Sequence, residues 1–170
     1  RVIFTCGGTG GHINPAVAVA RYIKLRHPGV KILFVGAVGG VEEKMVPQEG
    51  FDIETITISN FKRSISIKGV AHNLVTIGNL RRSFSQADKI IDKFKPDVVI
   101  GTGGYASYPA LRQASRRGIP TALHESNAIP GLTTKMLEKS VDAIMVAFEE
   151  SRSAYKEKDK VVTTGTPVRD

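Results

Sequence analysis

Short apolar runs alternate with amphipathic stretches along the chain. "RVIFTC" (1–6), "KILFVG" (31–36), "FDIETITI" (51–58), "PDVVIG" (96–101), "PTALHE" (120–125) and "VDAIMVAF" (141–148) are rich in Val and Ile and end in turn residues. That pattern predicts strands, with a shorter seventh at "KVVTTG" (160–165). Helical periodicity fills the intervals at Pro15 to Arg26, about 41–48, Ser66 to Phe94, Ala106 to Arg117 and Gly131 to Lys139. Asn14 is placed to cap the first helix and Pro15 to open it, with Ala16, Ala20 and Ile23 as its apolar stripe. The long third helix carries Val70, Leu74, Ile77, Leu80, Phe84, Ala87, Ile91 and Phe94 at steps of three and four, a core stripe. Strand–helix alternation of this kind predicts an α/β fold: a Rossmann-like, doubly wound parallel sheet of about seven strands, covered on both faces.

In such a sheet, ligands bind beyond the carboxyl ends of the strands. Three unusual segments fall there: "GGTGGHIN" (7–14), "GTGGYAS" (101–107) and "HESNAIPG" (124–131). Glycines admit positive φ and let a diphosphate or sugar approach main-chain N–H groups, and a following helix adds its positive dipole end. On this reading a valine at Gly10 or Gly104 would block that approach and resist the backbone angle. The alternative is a tight strand–helix turn. The first loop has neither the Gly-Lys-Ser/Thr ending of a P-loop nor Gly-x-Gly-x-x-Gly, because position 13 is Ile.

His12 stands at the predicted helix entrance, where the dipole favours a neutral imidazole able to take a proton from a hydroxyl nucleophile. It serves equally as a residue that only hydrogen-bonds its loop. Tyr105 and Ser107 are placed either to bond a sugar or phosphate or to cap the fourth helix. His124, Glu125 and Asn127 gather polar groups at a strand end, as a binding site or as a self-satisfied network.

Composition narrows the partners. The 170 residues suffice for one domain with a real core. Cys6 is the single cysteine, which excludes an internal disulfide and suits a reducing compartment; at the end of an apolar strand it reads as packing. A net charge of +8 favours a polyanionic partner. Nucleic acid is disfavoured because the basic residues are scattered with few aromatics among them. No apolar stretch is long enough to span a bilayer, and the chain opens on a strand rather than a signal peptide. No Asp-x-Asp occurs, and the four histidines show no metal spacing with the cysteine, so no metal or other cofactor is expected. Ile65, Ile67 and Val75, left over from the core stripe, lie beside Arg81 and Arg82 and suggest a face that docks on an anionic membrane; the alternative is that these apolar residues all face the core and the charges form a solvated face.

Together "GGTGGHINPAVAVA", "GTGGYASYPA", "HESNAIPGLTTKML" and the closing "GTPVR" resemble the MurG family, the N-acetylglucosaminyltransferases of peptidoglycan synthesis, of the two-domain GT-B fold. The resemblance runs through the whole chain but covers only that family's N-terminal half. It implies a Rossmann-like acceptor-side domain over 1–164, with 165–170 beginning a linker to a C-terminal donor domain. The implied reaction transfers GlcNAc from UDP-GlcNAc to the C4 hydroxyl of MurNAc in undecaprenyl-linked lipid I, with inversion, at the cytoplasmic face of the bacterial inner membrane. Family donor contacts carry over to Thr9, Gly10, Gly11, Asn127 and Arg169, and the general base to His12. Contacts to the acceptor diphosphate carry over to Gly103, Gly104 and Tyr105, with Ser107 beside them, and cleft support to His124 and Glu125. The chain departs from the family at Ser126, where Gln is commoner, and at Thr134 and Thr166, where Asn is commoner. The competing readings are a non-catalytic acceptor-binding or membrane-recruiting subunit of a split transferase, and a sugar-nucleotide epimerase on the same fold.

Overall fold

The structure, a computed structural model, describes residues 1–58 and 67–168, and the side chains of 1–58 and 78–168. Its elements alternate as β1 (Val2–Thr5), α1 (Gly10–Arg26), β2 (Ile32–Ala37), α2 (Glu42–Gln48), β3 (Asp52–Ile56) and α3 (Ile67–Phe94). There follow β4 (Val98–Gly101), α4 (Ser107–Arg116), β5 (Thr121–Glu125), α5 (Leu132–Leu137), β6 (Ala143–Val146) and β7 (Val161–Thr163). The strands form one sheet in the order β3-β2-β1-β4-β5-β6-β7, with every pairing parallel. The expected strands are all present, although β3 is shorter than its apolar run and two 3₁₀ segments, Glu149–Ala154 and Lys158–Lys160, separate β6 from β7.

Strand alternation divides the core into two layers. Val2, Phe4 and Cys6 point to the α1 side, packing with Ile13, Ala16, Val17 and Ala20. There Phe4 stacks on Phe34, and Phe34 meets Phe51, each pair with centroids 5.3 Å apart. Ile3 points the other way, into a cluster with Val99, Leu111, Ala114, Leu123 and Ile91. Ala87 and Ile91 of the α3 stripe are buried and Phe94 packs against that cluster, as the periodicity predicts. The side chains of Val70, Leu74 and Ile77 lie outside the described residues.

The start of α1 corrects the sequence reading. The helix begins at Gly10, not Pro15, and its N-cap is Thr9 at φ −152°, ψ 156°, without a side-chain capping bond. Neither Asn14 nor Pro15 therefore punctuates it. The N–H groups of His12 and Ile13 both reach the Thr9 carbonyl, at 3.1 and 3.2 Å. Thr102 Oγ1, beyond β4, donates to the His12 carbonyl at 2.6 Å and pins this glycine-rich first turn from outside. Tertiary contact thus overrides a poor local propensity.

The order in which the chain adds strands across the sheet reverses between β1 and β4. From β1 the chain goes through α1 to β2 on one side, and from β4 through α4 to β5 on the other. The crevice that such a switch point opens lies between the two glycine loops.

Candidate functional site

The glycines here answer first to packing. Gly104 lies at φ +82°, and a Cβ on it would sit 2.1 Å from the Gly7 carbonyl oxygen. The loops after β1 and β4 therefore touch backbone to backbone. Gly103, at φ +106°, lies against the His12 ring, where a Cβ would meet Cδ2 at 2.7 Å. Gly10 and Gly11 differ: neither has positive φ, and the nearest atoms to an added Cβ are 3.8 Å and 3.5 Å away. The expectation that a side chain at Gly10 is excluded by backbone angle is corrected; it is the opening residue of a helix. The first N–H groups of that helix have no intrahelical partner, which suits them to an anion.

His12 is held in one orientation. Its Nδ1 lies 2.9 Å from the Gly7 carbonyl, which only accepts, so Nδ1 carries the hydrogen in this contact. The neutral ring then has its lone pair on Nε2. Thr9 Oγ1 stands 3.4 Å from the same Nδ1. Tyr105 is half-buried; burial first, and then the nearby Glu42 carboxylate, push its phenol up, which keeps the O–H a hydrogen-bond donor at neutral pH. Ser107 is fully buried, its hydroxyl 2.9 Å from the Thr5 carbonyl and 2.7 Å from that of Gly103. It ties β1 to the second loop and does not line the cleft, which corrects its placement beside the diphosphate contacts.

The third segment is a network centred on Glu125. One carboxylate oxygen accepts from the Asn127 N–H at 3.0 Å and its Nδ2 at 2.7 Å. The other accepts from the Gly131 N–H at 3.0 Å and Thr134 Oγ1 at 2.6 Å. Burial opposes ionisation, but the bonds from Thr134, Gly131 and Asn127 outweigh it and hold the carboxyl below the usual range. A carboxylate so engaged shapes the loop and is poorly placed as a base. His124 is buried, with Nε2 donating to the Gly165 carbonyl at 2.9 Å and Nδ1 3.3 Å from Ser126 Oγ. It latches β5 to the segment after β7, away from the cleft lining.

These loops enclose a cleft of about 510 Å³. Thr9, His12, Gly103, Gly104, Tyr105, Glu125 and Asn127 all line it, with Ile58, Leu80, Tyr108, Leu132 and Met136 supplying apolar wall. Arg169 lies outside the described residues, as does Ile65. Among the described residues, no group of three or more His, Cys, Asp and Glu is placed to hold a metal. Cys6 is buried in the core.

Sequence reasoning passed over Glu42. Its side chain is fully buried, accepting from the Ala37 N–H at 2.8 Å and from the Gly8 N–H at 3.2 Å. A Cβ on Gly7, Gly36 or Gly40 would come within 2.7, 2.4 and 2.4 Å of it. The available signal was the surplus of glycines at 36, 39 and 40 just before an acidic pair.

Comparison with known proteins places this geometry. The model of the glycosyltransferase family 28 N-terminal domain matches residues 2–146. The UDP-N-acetylglucosamine–N-acetylmuramyl-(pentapeptide) pyrophosphoryl-undecaprenol N-acetylglucosamine transferase of Ruminiclostridium cellulolyticum is 47% identical over 170 residues, all of this chain and 46% of that relative. The crystal structure of Acinetobacter baumannii MurG superposes with a TM-score of 0.78 at 30% identity, over 98% of this chain and 46% of that one. A UDP-GlcNAc 2-epimerase from Neisseria meningitidis, bound to UDP-GlcNAc, shares the fold at 16% identity and TM-score 0.65, over 98% and 47% of the two chains. The chain spans about half the length of the curated relatives it matches.

Two outcomes test this geometry. Gly104→Ala should destabilise by more than the about 1–2 kcal/mol of left-handed backbone alone, whereas Gly10→Ala should be neutral or stabilising by up to about 1 kcal/mol. Urea unfolding measures both; equal losses would contradict the packing described. Because the Glu125 pKa is lowered on folding, its contribution to stability is present above the unfolded carboxyl value and is lost as pH falls through the folded one. Glu125→Gln should therefore cost on the order of 2 kcal/mol at pH 7, and the difference from wild type should shrink in acid unfolding series below pH ~4.

Proposed function

The chain belongs to the glycosyltransferase family 28 N-terminal domains, and from that premise we propose that it forms the acceptor-side half of an inverting GlcNAc transferase of the MurG type. The donor is UDP-GlcNAc and the acceptor the C4 hydroxyl of MurNAc in undecaprenyl-linked lipid I, giving lipid II. The observation that carries the reading is His12, anchored through Nδ1 to the Gly7 carbonyl on a cleft-lining first turn of α1. Its Nε2 takes the proton as the acceptor oxygen bonds to the anomeric carbon, and the bond to UDP breaks with its electron pair leaving on the diphosphate. One displacement inverts the configuration and needs one base.

Thr9 and Asn127 line the cleft, while Gly10 and Gly11 open α1 next to Thr9 and are not among its lining residues; with Arg169 all are assigned to the donor. Gly103, Gly104 and the Tyr105 hydroxyl are assigned to the acceptor diphosphate. The relatives' greater length supports a second domain as the opposite wall of the cleft. The epimerase likeness at 16% identity extends to the fold alone. A subunit that only binds acceptor has no use for a histidine held in a base-competent tautomer.

An undecaprenyl-linked acceptor requires docking at the cytoplasmic face of the membrane as a peripheral protein. No helix among the described residues is long and apolar enough to cross a membrane. Arg81 and Arg82 are exposed on α3, next to Leu80 at the cleft wall. With Ile65, Ile67 and Val75 they are assigned to the docking face.

In the full-length protein, His12→Ala should lower kcat by about 100–10,000-fold while leaving KM for UDP-GlcNAc nearly unchanged. A loss under about tenfold on that scale makes His12 a structural residue. The chain should also sediment with anionic vesicles, less so as salt rises, and Arg81→Glu with Arg82→Glu should weaken this without unfolding it. Equal binding to neutral and anionic lipid, or none to either, removes the docking face.

A further inference from the structure

The contact between His12 and Gly7 has a continuation. The Gly7 carbonyl and the Gly8 N–H belong to one peptide group. The carbonyl accepts from His12 Nδ1 at 2.9 Å, and the N–H of the same amide donates to Glu42 Oε2 at 3.2 Å. The order is carboxylate, amide, imidazole. We propose that Glu42 is a positioning residue that fixes the tautomer of His12, and stabilises its protonated form, through the Gly7–Gly8 peptide group. This rests on the reading of His12 as the base.

The chemistry follows from amide resonance. A carboxylate hydrogen-bonded to the N–H draws the peptide toward its charge-separated form, with more negative charge on the carbonyl oxygen. Linked hydrogen bonds strengthen one another by about 10–30% per bond. That oxygen then holds the Nδ1–H more firmly and leaves Nε2 as the accepting nitrogen. When Nε2 takes the acceptor's proton, the positive charge on the ring faces an amide polarised to receive it. A carboxylate bonded directly to Nδ1 serves a serine hydrolase in the same way; here a peptide group is interposed.

Three features set Glu42 apart from an ordinary charge at a helix start. It is fully buried at the first residue of α2. Both its oxygens accept from main-chain N–H groups, Ala37 and Gly8. Its path is cleared by glycines: a Cβ on Gly40 would lie 2.4 and 2.6 Å from the two carboxylate oxygens, and one on Gly36 2.4 Å from Cγ. The neighbouring Glu43 bonds the Gly39 N–H at 2.9 Å and is exposed, so the pair divides into a surface cap and a buried support.

The test pairs a ring signature with kinetics. Glu42→Gln has one accepting oxygen for two N–H donors, and the shorter Ala37 contact should retain it. With ring-¹⁵N histidine in the full-length protein, wild type should show His12 as the Nδ1–H tautomer, and Glu42→Gln should make the Nε2–H form detectable. In parallel kcat should fall about 10–100-fold, the usual effect of removing an outer partner of a functional histidine, with KM for UDP-GlcNAc within about threefold of wild type on that scale. Gly40→Ala keeps the charge but displaces the carboxylate; it should give the same two signatures if Glu42→Gln does not fold. An unchanged tautomer in both variants overturns the proposal, and so does a changed tautomer with unchanged kcat. His12→Ala addresses the base assignment separately: full turnover there refutes the base, while the ring signature still reports whether Glu42 governs His12.

Discussion

The approach of Gly104 to the carbonyl of Gly7 is the constraint on which the site depends. A Cβ at 104 would lie 2.1 Å from that oxygen, so the β1–α1 and β4–α4 loops meet with no side chain between them. The carbonyl so crowded is also the one that holds His12 Nδ1. Ser107 reinforces the junction from below by bridging toward the carbonyls of Thr5 and Gly103, and Thr102 does so from the side through the His12 carbonyl. Loops at a sheet's switch point are ordinarily its most adaptable parts. Here hydrogen bonds and close backbone contact make them a rigid seat for one imidazole.

Two buried carboxylates flank that seat and neither is available for chemistry. Glu125 is saturated by the Asn127 and Gly131 main chain and by two side chains, and Glu42 by the main chain of Ala37 and Gly8. Each replaces lost hydration with N–H and O–H donors, the condition for keeping a buried carboxylate. His12 differs in leaving one ring nitrogen outside the network that fixes the other. On the proposed reading, the base would be the group that this network leaves incompletely satisfied.

Much of this was legible in the sequence, and what was not has physical reasons. The inner strands follow from apolar runs because a parallel sheet buried on both faces imposes little polar alternation, whereas the edge strands β3 and β7 are more exposed and β3 interleaves Asp52 and Glu54 with its apolar residues. The clustering of "GGTGGH", "GTGGYAS" and "HESNAIPG" at strand ends marks the crevice, since side chains are rarely stripped so thoroughly for a turn alone. The start of α1 was not legible: glycines weaken a helix and a proline commonly opens one, and the Thr102 bond that overrides both lies ninety residues away. Ser107 and Glu42 share another difficulty. A hydroxyl at the start of one helix and an acid in the first turn of another have ordinary local roles, and only the folded neighbours, Thr5 and Gly103 for one and Gly8 for the other, show these two turned inward.

The distribution of charge bears on how such a half-cleft works. The sequence carries +8, yet the described residues lining the cleft include no Lys or Arg, and its one carboxylate is Glu125. On the proposed reading, the N-terminal N–H groups of α1 would meet the donor diphosphate with partial charge only, which falls short of a full counter-charge for a group departing with an extra electron pair. A cation lodged beside His12 would also oppose the protonation that a base must undergo. On that reading, a base on a wall of neutral donors would leave the counter-charge for the leaving group to Arg169 and to the facing domain, and so meet both demands. The excess basic residues are then free for the exterior, where Arg81 and Arg82 stand exposed on the helix that borders the cleft.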